Sequence, residues 1–103
     1  MLTIFKYVLQ IADEQVLKIK GCIEVLSVME QYDMVVLYTL VDTEATEVRE
    51  VSICIVGTGH PAAHARREGY RFLGTVKLLR GHLVWHVFCK GSGPSPPVKR
   101  GGE

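Results

Sequence analysis

The sequence predicts a mainly β fold of the β-rich α+β kind: about six short antiparallel strands in a curled sheet, a sandwich or a small barrel, with one short helix. Three observations carry that reading. Short segments rich in Val, Ile, Leu and aromatic residues recur along the chain between polar or glycine-containing turns. One of them, Leu83-Val84-Trp85-His86-Val87-Phe88, sets Leu83, Trp85 and Val87 on one face and Val84, His86 and Phe88 on the other. A strand apolar or aromatic on both faces needs cover on both, which puts it at the centre of the fold. Finally, only Ala62–Glu68 is convincingly helix-prone, with Pro61 suited to a first helical position and Gly69 to a stop.

Taken in order, Leu2–Leu9 reads as a first strand. Ile11–Lys20 offers one helical turn capped by Asp13, too short to stand alone, and Gly21 breaks it. Glu24–Met29 and Met34–Val41 flank Glu30-Gln31-Tyr32-Asp33 as a hairpin. The second arm is apolar on both faces, so it is expected beside the Leu83–Phe88 strand. After an acidic loop over Asp42–Glu47, Val48–Val56 alternates, with Val51, Ile53 and Ile55 inward and Glu50, Ser52 and Cys54 toward solvent. Tyr70–Leu79 is another one-sided strand, with Tyr70, Phe72, Val76 and Leu78 opposite Arg71, Thr75 and Lys77. Arg80-Gly81 turns the chain into the last strand.

The 103 residues make one domain, residues 1–90, followed by a Gly/Ser/Pro-rich tail over 91–103 with the composition of a disordered segment. A 48% hydrophobic content is that of a globular protein. No apolar run reaches the roughly 18–20 residues that span a bilayer, and Met1–Tyr7 lacks the pattern of a signal peptide. No membrane association is therefore expected, and a cytoplasmic location is. Three widely spaced cysteines, Cys22, Cys54 and Cys89, form neither a disulfide framework nor a paired metal-ligand pattern and read as reduced core thiols.

Charge is unevenly placed. Residues 1–56 hold four Lys/Arg against nine Asp/Glu, a net −5, and residues 57–103 hold eight against two, a net +6. Such a division marks either an anion site in the basic half or neighbouring strands of opposite charge. The near-neutral total of +1 argues against nucleic acid, although Arg66, Arg67, Tyr70, Arg71, Lys77, Arg80 and Lys90 supply basic and aromatic groups in one stretch.

Gly57-Thr58-Gly59-His60-Pro61-Ala62 matches the letters of G-x-G-x-x-A after a strand. A dinucleotide fold also needs a crossover helix and an acid about 20 residues on, and the region around Lys77 has none. A smaller role survives: two glycines turning backbone N–H groups outward, with His64, Arg66 and Arg67 just beyond, make a nest for phosphate or carboxylate. The competing reading is a plain turn followed by a wet arginine face. His82 and His86 are about 13 Å apart along a strand and cannot share an ion. His60 and His64 have helical spacing but no further ligand, so no metal or other cofactor is expected. Ser27, Ser52 and Thr58 are available nucleophiles and His60 or His86 available bases, but none stands in an activated context. His86 reads as a packed histidine bonded to a backbone carbonyl. The chain is not expected to be an enzyme.

The strings Ile4-Phe5-Lys6-Tyr7, Leu26-Ser27-Val28, Leu40-Val41-Asp42, Gly57-Thr58-Gly59-His60-Pro61, Leu73-Gly74-Thr75 and Leu83–Phe88 together resemble a family of small phage and prophage proteins of unknown function, over roughly Leu2–Phe88. The chain departs from that pattern at Lys20 and Thr43, where the family favours proline, and at Tyr38, where it favours tryptophan. The resemblance carries no activity or site residues. It implies a short accessory protein in a bacterial, host-cell cytoplasm that binds and antagonises a host protein, as an anti-defence or anti-CRISPR inhibitor does. The alternatives are a sponge for a phosphate-bearing signalling nucleotide, a small anionic ligand, and a structural or virion-associated protein that forms homo-oligomers through exposed strand edges. The expected site is Gly57, Thr58, Gly59, His60, His64, Arg66 and Arg67, with Tyr70 and Arg71 beside it.

Overall fold

A computed structural model describes residues 1–91. Seven strands are present: β1 (Leu2–Val8), β2 (Glu14–Lys20), β3 (Cys22–Gln31), β4 (Met34–Asp42), β5 (Val48–Gly57), β6 (Arg71–Leu78) and β7 (Leu83–Lys90). They form two antiparallel sheets, one ordered β1-β4-β3 and the other β2-β5-β7-β6. The sheets share one core between them, so the molecule is an open sandwich and not a closed barrel. Among the described residues no helix is long and apolar enough to cross a membrane. The expected tail lies, beyond Gly91, outside the described residues.

The core follows from the alternation. Val35, Leu37, Thr39 and Val41 of β4 face Val51, Ile53 and Ile55 of β5 and Val87 and Cys89 of β7, all with essentially no exposed surface. Burying each such aliphatic side chain stabilises the fold by about 1.5–3 kcal/mol, more than a ladder hydrogen bond nets. Thr39 is the one buried polar residue in this layer, and its hydroxyl is satisfied by donating to the Phe5 carbonyl at 3.4 Å. Cys22, Cys54 and Cys89 are all buried.

Several expectations are corrected. The predicted helix over Ala62–Glu68 is a 3₁₀ turn of four residues, Ala63–Arg66, closed by Ala65 N donating to Ala62 O and ended by extended backbone at Arg67. So short a segment cannot recover the cost of nucleating an α-helix. Residues 14–20 form a strand and not a helical turn. Leu17 and Ile19 point inward while Glu14, Val16, Lys18 and Lys20 point out, a period of two that the acidic pair Asp13-Glu14 masked. The β3–β4 hairpin is present, turning through Tyr32 and Asp33 at φ 53° and 60°. It carries β4 into the centre of the three-stranded sheet, away from β7, which is central in the other.

The outer face of β5 is not open to solvent along its length. Cys54 and Val56 are covered by Ala65, Tyr70 and Phe88, because residues 61–70 fold back over it. On β6, a bulge between Phe72 and Gly74 inverts the face parity, which turns Phe72 outward against Phe88 at 5.5 Å between ring centroids.

The chain passes from β2 in one sheet to β3 in the other through Gly21 alone, at φ +73°. A Cβ there would run into the Asp42 carbonyl oxygen. Gly21→Ala combines a left-handed backbone with a backbone clash. It is expected to lower the unfolding free energy by about 2–3 kcal/mol in urea denaturation.

Candidate functional site

β5 runs out at Gly57, where Thr58 N still bonds Val84 O (3.2 Å) and His60 N donates to Gly57 O (3.0 Å) to close the turn. The second glycine, Gly59, has φ +83° and points into open space. Gly57 is required by close approach: a Cβ there would lie 2.6 Å from His60 Nδ1 and 3.1 Å from Trp85 Cζ3. Its absence lets the His60 ring lie back and meet Trp85 edge-on, with centroids 6.4 Å apart.

Thr58 is fixed by His86. Its Oγ1 sits 2.7 Å from Nε2, and Thr75 Oγ1 sits 3.0 Å from Nδ1 of the same ring. His86 is thus held by two hydroxyls on neighbouring elements, not by a backbone carbonyl as the sequence reading had it. In a neutral imidazole one threonine donates to the ring and the other accepts from it. The trio has the outline of nucleophile, base and orienter. Its third member is a neutral hydroxyl, and the two bonds to the ring tie the glycine loop to β6 and β7.

The candidate residues sort into separate places. Gly57, Thr58, Gly59, His60 and His64 stand together at one end of the sandwich. His64 Nε2 lies 3.4 Å from Ile55 O, and its own carbonyl accepts from the Cys54 thiol. Arg67 turns away to pair with Glu14 of β2 at 2.7 Å, and Arg66 is exposed. Tyr70 packs over Cys54, with Lys90 Nζ 4.7 Å above its ring. Burial, with help from the Cys54 contact, pushes its phenol up to about 12. Arg71 pairs across the ladder with Cys89, on the inner side, and its Nη2 is buried without a hydrogen-bond partner among the described residues. Arg67 and Arg71 therefore do not converge on the glycine loop.

A cleft of about 390 Å³ does form beside the loop. Ile55 and Val56 floor it; Gly57, His60, Pro61, His64 and Trp85 make one wall; Ile11, Ala12 and Asp13 make the other. The second wall is tied down by Ile55 N donating to Asp13 O at 3.1 Å. Trp85 Nε1 is buried with no partner among the described residues. Sequence reasoning missed Ile11, Ala12, Asp13 and Trp85 as site residues. The two walls are more than 40 positions apart, and the 11–13 loop was absorbed into the supposed helical turn. Among the described residues no group of three or more His, Cys, Asp and Glu side chains is placed to hold a metal ion.

Two outcomes follow. Thr58→Val, which removes the bond to His86, is expected to cost about 1 kcal/mol and to speed amide hydrogen exchange across residues 57–61 while the core stays protected. In alkali, the unfolded chain loses its tyrosine proton near pH 10 while folded Tyr70 keeps it to about 12. Stability conferred by the protonated phenol is therefore fully present below pH 10 and lost as pH rises toward 12. Tyr70→Phe should flatten that part of the pH–stability curve in urea titrations; Tyr7, whose phenol burial also pushes up, keeps a residual slope.

No curated protein and no solved structure matches the chain. A family model described as "Domain of unknown function (DUF7352)" matches residues 1–96. With most of its length matched, including the glycine loop, both cleft walls and all seven strands, the chain belongs to the DUF7352 family.

Proposed function

We propose that the chain is a non-enzymatic binding protein that takes hold of a partner protein through the cleft between the 11–13 loop and the glycine loop. The observation that carries this reading is the composition of the cleft: an apolar floor, one carboxylate, two imidazoles and a partly buried indole, held by bonded loops. Such a site suits an apolar or basic side chain from another protein. The Asp13 carboxylate on its rim disfavours phosphate, and Arg67 is engaged by Glu14, so a nucleotide sponge has less support. The resemblance to small phage and prophage proteins makes a host component in the bacterial cytoplasm the partner class, with antagonism of host defence the role.

Trp85 is the sole tryptophan, so its emission reports occupancy of the cleft directly. Wild-type protein is expected to retain a defined bacterial protein at fixed stoichiometry and to shift its Trp85 emission on binding. Ile11→Glu replaces a side chain that is 47% exposed and should leave the thermal melt unchanged. It should weaken retention at least about tenfold. Undiminished retention by Ile11→Glu would place the partner elsewhere. A native mass spectrum with a nucleotide-sized adduct would favour the sponge instead.

A further inference from the structure

Four strands lie at sheet edges: β1 and β3 in one sheet, β2 and β6 in the other. Unpaired edges invite other chains, and proteins blunt them with bulges, charges or proline. β3 carries two register shifts and β6 one. β2 carries Glu14, Lys18 and Lys20. β1 has no bulge, no proline and one charge, Lys6, in the seven residues Leu2–Val8. It is also exposed on both faces: Ile4, on the outer face, is 56% exposed and Phe5, on the inner, 46%. An open groove of about 500 Å³ runs along it, lined by Ile4, Phe5, Lys6, Tyr7 and Tyr38.

We infer that this edge pairs with the same edge of a second copy, joining two three-stranded sheets into one of six strands. This goes beyond the cleft reading and is independent of it. The occupant follows from the ladder. Thr43 N donates to Met1 O and Leu9 N to Val35 O, in line with the β1–β4 register, so the odd-numbered residues of β1 are the ones bonded to β4. In an antiparallel pair the bonded positions alternate, which leaves the N–H and C=O groups of Leu2, Ile4, Lys6 and Val8 facing outward.

A two-fold axis at Phe5 lets this set satisfy itself. Leu2 meets Val8 of the second copy, and Ile4 meets its Lys6, so every outward group finds a partner. Shifting the axis to Ile4 strands Val8. Shifting it to Lys6 sets two ammonium groups face to face, which is unfavourable. With the axis at Phe5, the two Phe5 rings fall in a non-hydrogen-bonded pair, where facing side chains come closest and aromatic contact adds most.

One seven-residue edge buries little area for a dimer, so association should depend on concentration. Light scattering and sedimentation of the purified chain from about 1 µM to about 1 mM test this. The expected result is a molar mass rising toward twice that of the chain. Ile4→Pro deletes an N–H that the fold itself does not use and should hold the mass at that of the monomer with an unchanged circular dichroism spectrum. Ile4→Lys places like charges across the axis twice and should also abolish the dimer. Adding Lys6→Glu to Ile4→Lys converts both pairs to opposite charges and should restore it. If Ile4→Pro does not fold, the charge pair decides alone. A wild-type mass of one chain at every concentration would overturn the inference. So would a dimer that persists in Ile4→Lys, or a double variant that fails to re-form it.

Discussion

The two sheets depend on a backbone corner. Gly21 carries the chain out of one sheet and into the other, and at the same place Asp42–Glu47 carries it back. Gly21 N donates to Glu47 O at 2.8 Å and Asp42 N donates to Gly21 O at 2.9 Å, so the two crossings are bonded to each other. The terminal amine of Met1 closes the same corner, lying 3.7 Å from carboxylate oxygens of both Asp42 and Glu44. A Cβ on Gly21 would run into the Asp42 carbonyl oxygen, so this bonded crossing admits only a residue without one. A second tie lies at the opposite end, where the Asp33 carboxylate in the β3–β4 turn accepts from Leu79 N at 2.7 Å. Both turns it joins hold non-glycine residues at positive φ, and the bond offsets part of that strain.

With the sheets fixed, the candidate site is built by convergence of segments distant in sequence. The glycine loop has its place because β5 stops there and because His86, one strand over, holds Thr58. The 11–13 loop has its place because β1 and β2 belong to different sheets and the link between them must cross the open end of the sandwich. Neither loop makes a cleft alone. Trp85 stands between the core and the cleft, so the same side chain contributes to stability and to the shape of the cleft.

Much of this was legible in the residues. The alternation of Val51, Ile53 and Ile55, the two-faced apolar segments and the glycine turns identify six of the seven described strands and the hairpin between β3 and β4. The tight turn over Gly57–Pro61 was also legible, because two glycines before a proline at the end of an apolar strand favour one. What failed has local causes. β2 was hidden because Asp13-Glu14 before an apolar stretch is a helix-start signal, and only pairing with β5 decides against it. Phe72 was assigned to the wrong face because a bulge changes parity without leaving a mark in composition. The arginines at 66, 67 and 71 looked like one cluster because they are neighbours in sequence. Extended backbone follows the 3₁₀ turn, Arg67 pairs with Glu14, 53 positions away, and Arg71 lies opposite Cys89 on the inner side of β6.

The order of pairing also bears on how the molecule comes to be made. β3 with β4, and β6 with β7, are neighbours in the chain and close their ladders across short turns. β1 must wait for β4 and β2 for β5, with Val8 finding Val36 and Leu2 finding Asp42. Contacts that close long loops form late and slow the search, so the two hairpins are the natural nucleus and the first twenty residues dock last. During synthesis those residues leave the ribosome before β4 and β5 and remain without their partners until these have followed. The strand with the least protected edge is therefore one of the two, with β2, that wait longest for a neighbour.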